Sequence, residues 1–228
     1  MQEELIKHLS QFITENKRQK IEEALQYRTY YLTVVLEDIY QAHNASAVVR
    51  TCDCFGIQQM HVIENRNQYK VNPDVTLGSS KWVDIIHHNK AEQNTRASLE
   101  SLKSAGYRLI ATTPHKDDTN LEDLPLDSKT ALLFGTEKEG LSQEALELAD
   151  GFVKIPMFGF TESLNISVSA AICIHQLSMK LRNSDIDWRL TDQEKNVIRL
   201  NWIRGIVQRS ELLEKDFLNN YKEGKNVD

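Results

Sequence analysis

Three separated segments concentrate the side chains that can hold a small ligand and act on a hydroxyl. They are HNASAVVRT (43–51), LLFGTEKEG (132–140) and IPMFGFTESLNISVSAA (155–171). In the first, Asn44 offers an amide at the mouth of a helix and Arg50 a permanent positive charge six residues later. Taken alone, this segment reads first as an N-cap followed by a surface arginine. In the second, Gly135 and Gly140 bracket Glu137 and let backbone approach closely at a strand's carboxyl end, although a plain strand-to-helix turn capped by Ser142 has the same look. In the third, Pro156 ends a strand and Gly159 loosens a loop. Ser163, Leu164 and Asn165 then precede a helix whose small first turns, Ser167 to Ala171, suit close approach of another backbone.

Positioning these segments requires a regular scaffold. The compact β-branched run YLTVVLEDI (31–39) leads into the helix after Asn44, and further strand patterns fall near 59–63, 83–87, 107–112, 130–134 and 152–155. Helical periodicity recurs at 95–105, 142–149 and 165–181. Strands alternating with helices predict an α/β domain with a mostly parallel sheet flanked by helices. Residues 1–30 carry Leu5, Leu9, Ile21 and Leu25 at helical intervals and form an N-terminal helical extension; 31–182 form the central domain. Residues 183–228 form a C-terminal extension, in which Thr191 and Glu194 spell a capping box and the polar tail from Glu214 is expected to fray.

The bulk properties narrow the function. A net charge of -6 makes the whole-molecule field repel a polyanion, so any nucleic-acid site is a local patch. Three cysteines, Cys52, Cys54 and Cys173, supply neither a disulfide framework nor zinc-ligand spacing, and His87-His88 adds none, so no metal is expected. The N-terminal MQEELIKHLSQF has charges where a secretory signal carries its apolar core, which predicts a cytoplasmic protein without a membrane span. Neither Gly-x-Gly-x-x-Gly nor a Walker phosphate loop is present. A nucleotide-like cofactor would therefore sit on the sheet without the usual diphosphate cradle.

In this order and at these separations, the three segments resemble the signature motifs of the SpoU/TrmH family of methyltransferases. The resemblance implies a deep trefoil knot in the C-terminal part of the domain, an exception to the rule against threaded chains, and a pocket for S-adenosylmethionine formed by the knotted loops. By position it assigns Asn44, Arg50, Glu137, Ser163 and Asn165 to the catalytic motifs. It places the cofactor against Thr112, Gly135, Ile155, Met157 and Leu164, through backbone and apolar contacts. The likeness is greatest to members with short helices at both ends, which implies 2′-O-methylation of guanosine 18 in the tRNA D-loop by a homodimer whose site is shared. Ribosomal RNA, the tRNA anticodon loop, and a non-catalytic RNA-binding role are the alternatives.

The chain departs from the family where an arginine-rich step closes the knot helix; here the residues are Ser178-Met179-Lys180-Leu181-Arg182. RNA contacts are expected from Lys180, Arg182, Arg189, Arg199 and Lys81, because residues 179–210 hold seven Lys and Arg against four Asp and Glu. Lys17, Arg18 and Lys20 are further candidates. The acidic loop bearing Asp117, Asp118, Glu122, Asp123 and Asp127 is expected to point away. Trp188 and Trp202 are read as anchors for the C-terminal helix rather than as stacking platforms.

Overall fold

Continuous apolar runs such as LTVVL suit a sheet covered on both faces, and the chain builds one. The computed structural model describes residues 1–114 and 119–225, so Asp117 and Asp118 of the acidic loop lie outside the described residues. Its strands are β1 (Leu32–Glu37), β2 (Gln59–Ile63), β3 (Asp84–His88), β4 (Arg108–Thr112), β5 (Thr119–Asn120), β6 (Thr130–Phe134) and β7 (Gly151–Lys154). They form one sheet in the order β3-β2-β1-β6-β4-β7-β5, with every neighbouring pair parallel. The mostly parallel α/β sheet expected from the alternating pattern is therefore present.

The helices of this body are α3 (Ala42–Cys54), α4 (Pro73–Thr76), α5 (Thr95–Ser104), α6 (Gln143–Leu148) and α7 (Ile166–Arg182). The period of two along each strand divides the core. Leu32, Val34 and Leu36 share one apolar cluster with Val48, Val49 and Cys52 of α3 and Ile174, Leu177 and Leu181 of α7. Val35, Leu109 and Leu133 join Leu99 and Leu102 of α5 and Ala145 of α6 in the second. Burying one such aliphatic side chain stabilises the fold by about 1.5–3 kcal/mol. A one-residue slip of any strand would exchange its two faces.

Polar ties hold the carboxyl ends of the strands in place. Glu37, buried at the end of β1, accepts hydrogen bonds from the Thr95 hydroxyl (2.6 Å) and from the Ser142 amide (2.8 Å) and hydroxyl (2.7 Å). The starts of α5 and α6 are thereby fixed to the first strand. Next in sequence, Asp38 takes a left-handed conformation with φ 53° and accepts from the amides of Asn65 and Arg66 at 2.7 and 2.8 Å.

The chain divides into two compact units, residues 29–188, which hold the sheet, and residues 1–28 together with the chain from 189 onward. The second unit is helical, with α1 (Gln2–Leu9), α2 (Glu15–Leu25), α8 (Asp192–Ile206) and α9 (Ser210–Lys225). Leu5, Leu9, Ile21 and Leu25 bury their side chains, as do Ile198, Trp202 and Ile203. The capping box at Thr191 and Glu194 forms as expected. The tail does not fray from Glu214: α9 runs on to Lys225, held by an Arg204–Glu214 ion pair and by Phe217 against His8. Among the described residues no helix is long and apolar enough to cross a membrane.

Candidate active site

The strand order reverses beside β1: the chain runs outward through β2 and β3, then returns to the other flank of β1. Ligands of open α/β sheets bind beyond the carboxyl ends of strands at such a point. All three sequence segments leave strands or enter helices at that end. HNASAVVRT opens α3 after β1, LLFGTEKEG ends β6, and IPMFGFTESLN joins β7 to α7.

The three segments meet through one amide. Asn44 donates from Nδ2 to Glu137 Oε1 at 2.5 Å and to Gln41 Oε1 at 3.3 Å, while its Oδ1 accepts from Asn165 Nδ2 at 3.2 Å. Asn44 is buried, and its hydrogen-bonding capacity is directed at tertiary partners. It is therefore not the N-cap of α3, a place Gln41 takes in extended conformation without a side-chain bond. Asn165 is the N-cap of α7, accepting from the Ser167 amide at 2.9 Å. Its two ends thus serve two purposes: Oδ1 caps a helix and Nδ2 holds Asn44.

Glu137 is presented by a tight loop in which the amides and carbonyls of Thr136 and Gly140 pair at 2.9 and 3.0 Å. A Cβ on Gly135 would lie 2.1 Å from the Gly140 carbonyl carbon, so only glycine fits there. The close approach that the sequence announces is that of the loop's own backbone.

Beside this cluster lies an open cleft lined by Thr112, Ile155, Met157, Ser163, Leu164 and Cys173. Four of the five residues assigned to a cofactor by resemblance, Thr112, Ile155, Met157 and Leu164, are in its wall, as is Ser163; Gly135 is not. The Thr112 hydroxyl donates to the Leu133 carbonyl at 2.8 Å, so its free surface toward the cleft is apolar and backbone. Burial pushes the Cys173 thiol up to about 12, which makes it an inert apolar wall rather than a nucleophile.

The lining fits a nucleoside-type cofactor. Its walls are apolar enough to cover a ring, and among the described residues no amide from Ile155 to Leu164 donates to another backbone carbonyl. Unpaired backbone groups along one rim are what a purine's polar edge requires.

Arg50 stands apart from the cluster. It is exposed on α3, with no hydrogen-bond or ion-pair partner among the described residues. Six residues beyond Asn44, it is rotated by roughly 240° and displaced by about 9 Å along the helix. Asn44 does not hold its guanidinium within this chain.

The cations expected to meet RNA fall into two groups. Lys180 donates to the carbonyls of Glu122 and Leu124, both at 2.9 Å, and Arg182 to that of Phe55 at 2.9 Å while covering the Trp188 ring. Arg199 makes a two-pronged pair with Glu22 at 2.6 and 2.7 Å. These three serve the fold. Lys81 and Arg189 are exposed. Trp188 is buried in the core of the sheet-bearing unit and Trp202 in the helical unit, so neither ring lies open for stacking. Among the described residues no cluster of three His, Cys, Asp or Glu has the arrangement of a metal site.

Sequence reasoning missed Gln41, the second partner of the Asn44 amide, because glutamine at that point carries no distinguishing signal of its own.

This geometry defines a class, a parallel α/β protein with an apolar ligand cleft at its strand ends and an amide–carboxylate cluster at the cleft's edge. Residues 31–175 match the SpoU rRNA Methylase family, and the chain belongs to that family. It is 47% identical, over 90% of its length and 93% of the relative's, to the tRNA (guanosine(18)-2′-O)-methyltransferase of Borreliella burgdorferi. Among solved structures it resembles the A. aeolicus TrmH/SpoU tRNA modifying enzyme with a TM-score of 0.76 and 30% identity, covering 86% of this chain and 98% of that one. It shares its fold with the SpoU methyltransferase AviRb of Streptomyces viridochromogenes, crystallised with AdoMet. That match has a TM-score of 0.59 and 22% identity, over 71% of this chain and 65% of that one.

Proposed function

We propose that this protein transfers a methyl group from S-adenosylmethionine to the ribose 2′-hydroxyl of guanosine 18 in the tRNA D-loop. The observation that carries the reading is the junction of Asn44, Glu137 and Asn165 at the rim of a cleft whose wall includes the neighbouring Ser163 and Leu164. The reaction and RNA named for the Borreliella relative agree with it. Bound in the cleft, S-adenosylmethionine supplies a methyl on a sulfonium, already a good electrophile.

The chain's own residues position and shield. Ile155, Met157 and Leu164 would hold the cofactor and shield it from water, and Thr112 closes the β4 end of the wall. Gly135, two residues beyond the carbonyl that Thr112 bonds, permits the tight loop that aims Glu137. Asn44 locks that loop to the start of α7, so the cleft and the ribose site keep a fixed separation. Ser163 and Asn165 shape the bend against which the ribose rests.

Arg50 balances the charge that develops on the 2′-oxygen and binds the adjoining phosphate, while the hydroxyl proton leaves to water. A guanidinium with a pKa above about 12 acts here by charge rather than as a base. Its distance from the Asn44 cluster supports a homodimer in which a second copy delivers it. An exposed groove between α3 and α7, lined by Ala47, Thr51, Phe55, Val168 and Ile172, supports the same assembly.

The trefoil knot belongs to the proposal too. What supports it is that β7 lies beyond β4, on the far side of β6 from β1, and yet the helix after it packs on α3. The division into a methyltransferase body, 31–182, with helical extensions 1–30 and 183–228 is likewise proposed. Lys81 and Arg189, both exposed, are proposed to meet phosphate, while Lys180, Arg182 and Arg199 are engaged within the fold. Three free thiols suit a reducing, cytoplasmic setting.

Incubation with S-adenosylmethionine and an unmodified tRNA transcript, followed by nuclease digestion and mass spectrometry, tests the reading. A 2′-O-methylguanosine at nucleotide 18 is expected. A transcript left without a transferred methyl would refute it.

A further inference from the structure

A second groove adjoins the Asn44 junction, sharing no lining residue with the cleft. It is lined by Tyr40, Gln41, Arg66, Glu137, Lys138 and Glu139. Tyr40, in the turn between β1 and α3, is 78% exposed. A large aromatic side chain open to water at the lip of a polar groove has a face on which a planar partner can stack.

The groove and the cleft share the same hinge. Gln41 and Glu137, both in the groove's wall, accept the two hydrogen bonds of the Asn44 Nδ2, and Asn44 Oδ1 receives Asn165 beside Ser163 and Leu164 of the cleft. A base seated on Tyr40 would thus lie in a groove whose wall includes two partners of the Asn44 amide.

The polar lining indicates which base. Glu137 uses Oε1 for Asn44, and Glu139 uses Oε2 for Arg66 at 2.7 Å; the other oxygen of each has no partner among the described residues. Two carboxylate oxygens suit an edge that donates more than once. Guanine presents two adjacent donor groups, N1–H and the 2-amino group, beside its O6 acceptor, whereas adenine, cytosine and uracil each present one donor group on that edge. Arg66 is held over this wall by Glu139 and by buried Asp38, at 3.7 Å, which sets the carboxylate's direction.

We infer that the Tyr40 groove is the subsite for the target nucleobase, a guanine stacked on Tyr40 with its Watson–Crick edge accepted by Glu137 and Glu139. The inference rests on the proposed methyl transfer to a ribose, and deepens it.

The test compares wild type, Tyr40→Ala and Tyr40→Phe for binding of a tRNA transcript by fluorescence polarisation, for methyl transfer, and for S-adenosylmethionine affinity. Tyr40→Ala should weaken RNA binding and raise KM for tRNA by about 10-fold, the scale of one lost stacked base. Tyr40→Phe should restore both, with cofactor affinity unchanged throughout. A second arm replaces the target guanosine by inosine, which lacks the 2-amino group, and should raise KM several-fold with wild type.

Unchanged RNA binding and KM in Tyr40→Ala would overturn the subsite, as would indifference to inosine or a matching loss of cofactor affinity. A wild-type protein that binds the RNA but neither binds S-adenosylmethionine nor transfers methyl would instead refute the proposed function. In that case the Tyr40 binding comparison still decides the groove.

Discussion

Arg50→Ala is expected to lower the rate of methyl transfer by roughly 10²–10³-fold or more while leaving S-adenosylmethionine affinity within about twofold of wild type. The guanidinium is not in the wall of the cleft proposed for the cofactor and has no partner among the described residues, so removing it neither empties that wall nor breaks an intramolecular tie. The whole effect should therefore fall on the charged transition state. Arg50→Lys keeps the charge but loses the planar fork, and should recover only part of the rate. Single-turnover kinetics with saturating tRNA, paired with calorimetric titration of the cofactor, separates the two quantities. A fully active Arg50→Ala would remove the role assigned to this residue.

Gly135→Ala should be the most damaging small change in the chain. Its new methyl would stand 2.1 Å from both the carbon and the oxygen of the Gly140 carbonyl and 2.2 Å from the Leu141 amide, all backbone atoms that cannot rotate away. Either the fold loses about 3–5 kcal/mol or the loop opens. Opening separates Thr136 from Gly140 and swings Glu137 from Asn44, which unlocks α3 from the start of α7. Thermal unfolding should show a fall in Tm of about 5–15 °C, with activity lost at temperatures where the variant remains folded. Gly159→Ala is the control: the nearest atom to its Cβ is 4.0 Å away, and stability should barely change. An unperturbed Gly135→Ala protein would contradict the close packing of this loop.

The sheet was legible in the sequence because its signals are local. LTVVL, QMHVI and TALLF are runs of strand-forming residues, each closed by a polar or small residue, and the structure places strands over them. The convergence of the three motif segments was implied by the family resemblance; the structure brings Asn44, Glu137 and Asn165 together and leaves Arg50 apart. What local pattern could not carry is competition between partners. Asn44 has the composition of an N-cap, but a buried amide is claimed by whatever tertiary groups meet it, here Glu137 and Asn165. The use of Arg199 by Glu22, 177 residues away in sequence, leaves no trace in the composition around either. The polar tail folds as α9 because Glu214 and Phe217 find Arg204 and His8, contacts that no window of sequence contains. Tyr40 reads as an unremarkable turn residue until its exposure beside Glu137 is known.

Titration of S-adenosylmethionine into the protein, alongside the Leu164→Glu and Arg50→Ala variants, addresses most directly the proposal that the cleft formed by the end of β4, the β7–α7 loop and α7 holds the cofactor. The account predicts saturable binding of one molecule per chain, abolished when a carboxylate replaces Leu164 in the wall and preserved when Arg50 is truncated. Absence of saturable binding to wild type, or binding indifferent to Leu164→Glu, would contradict it.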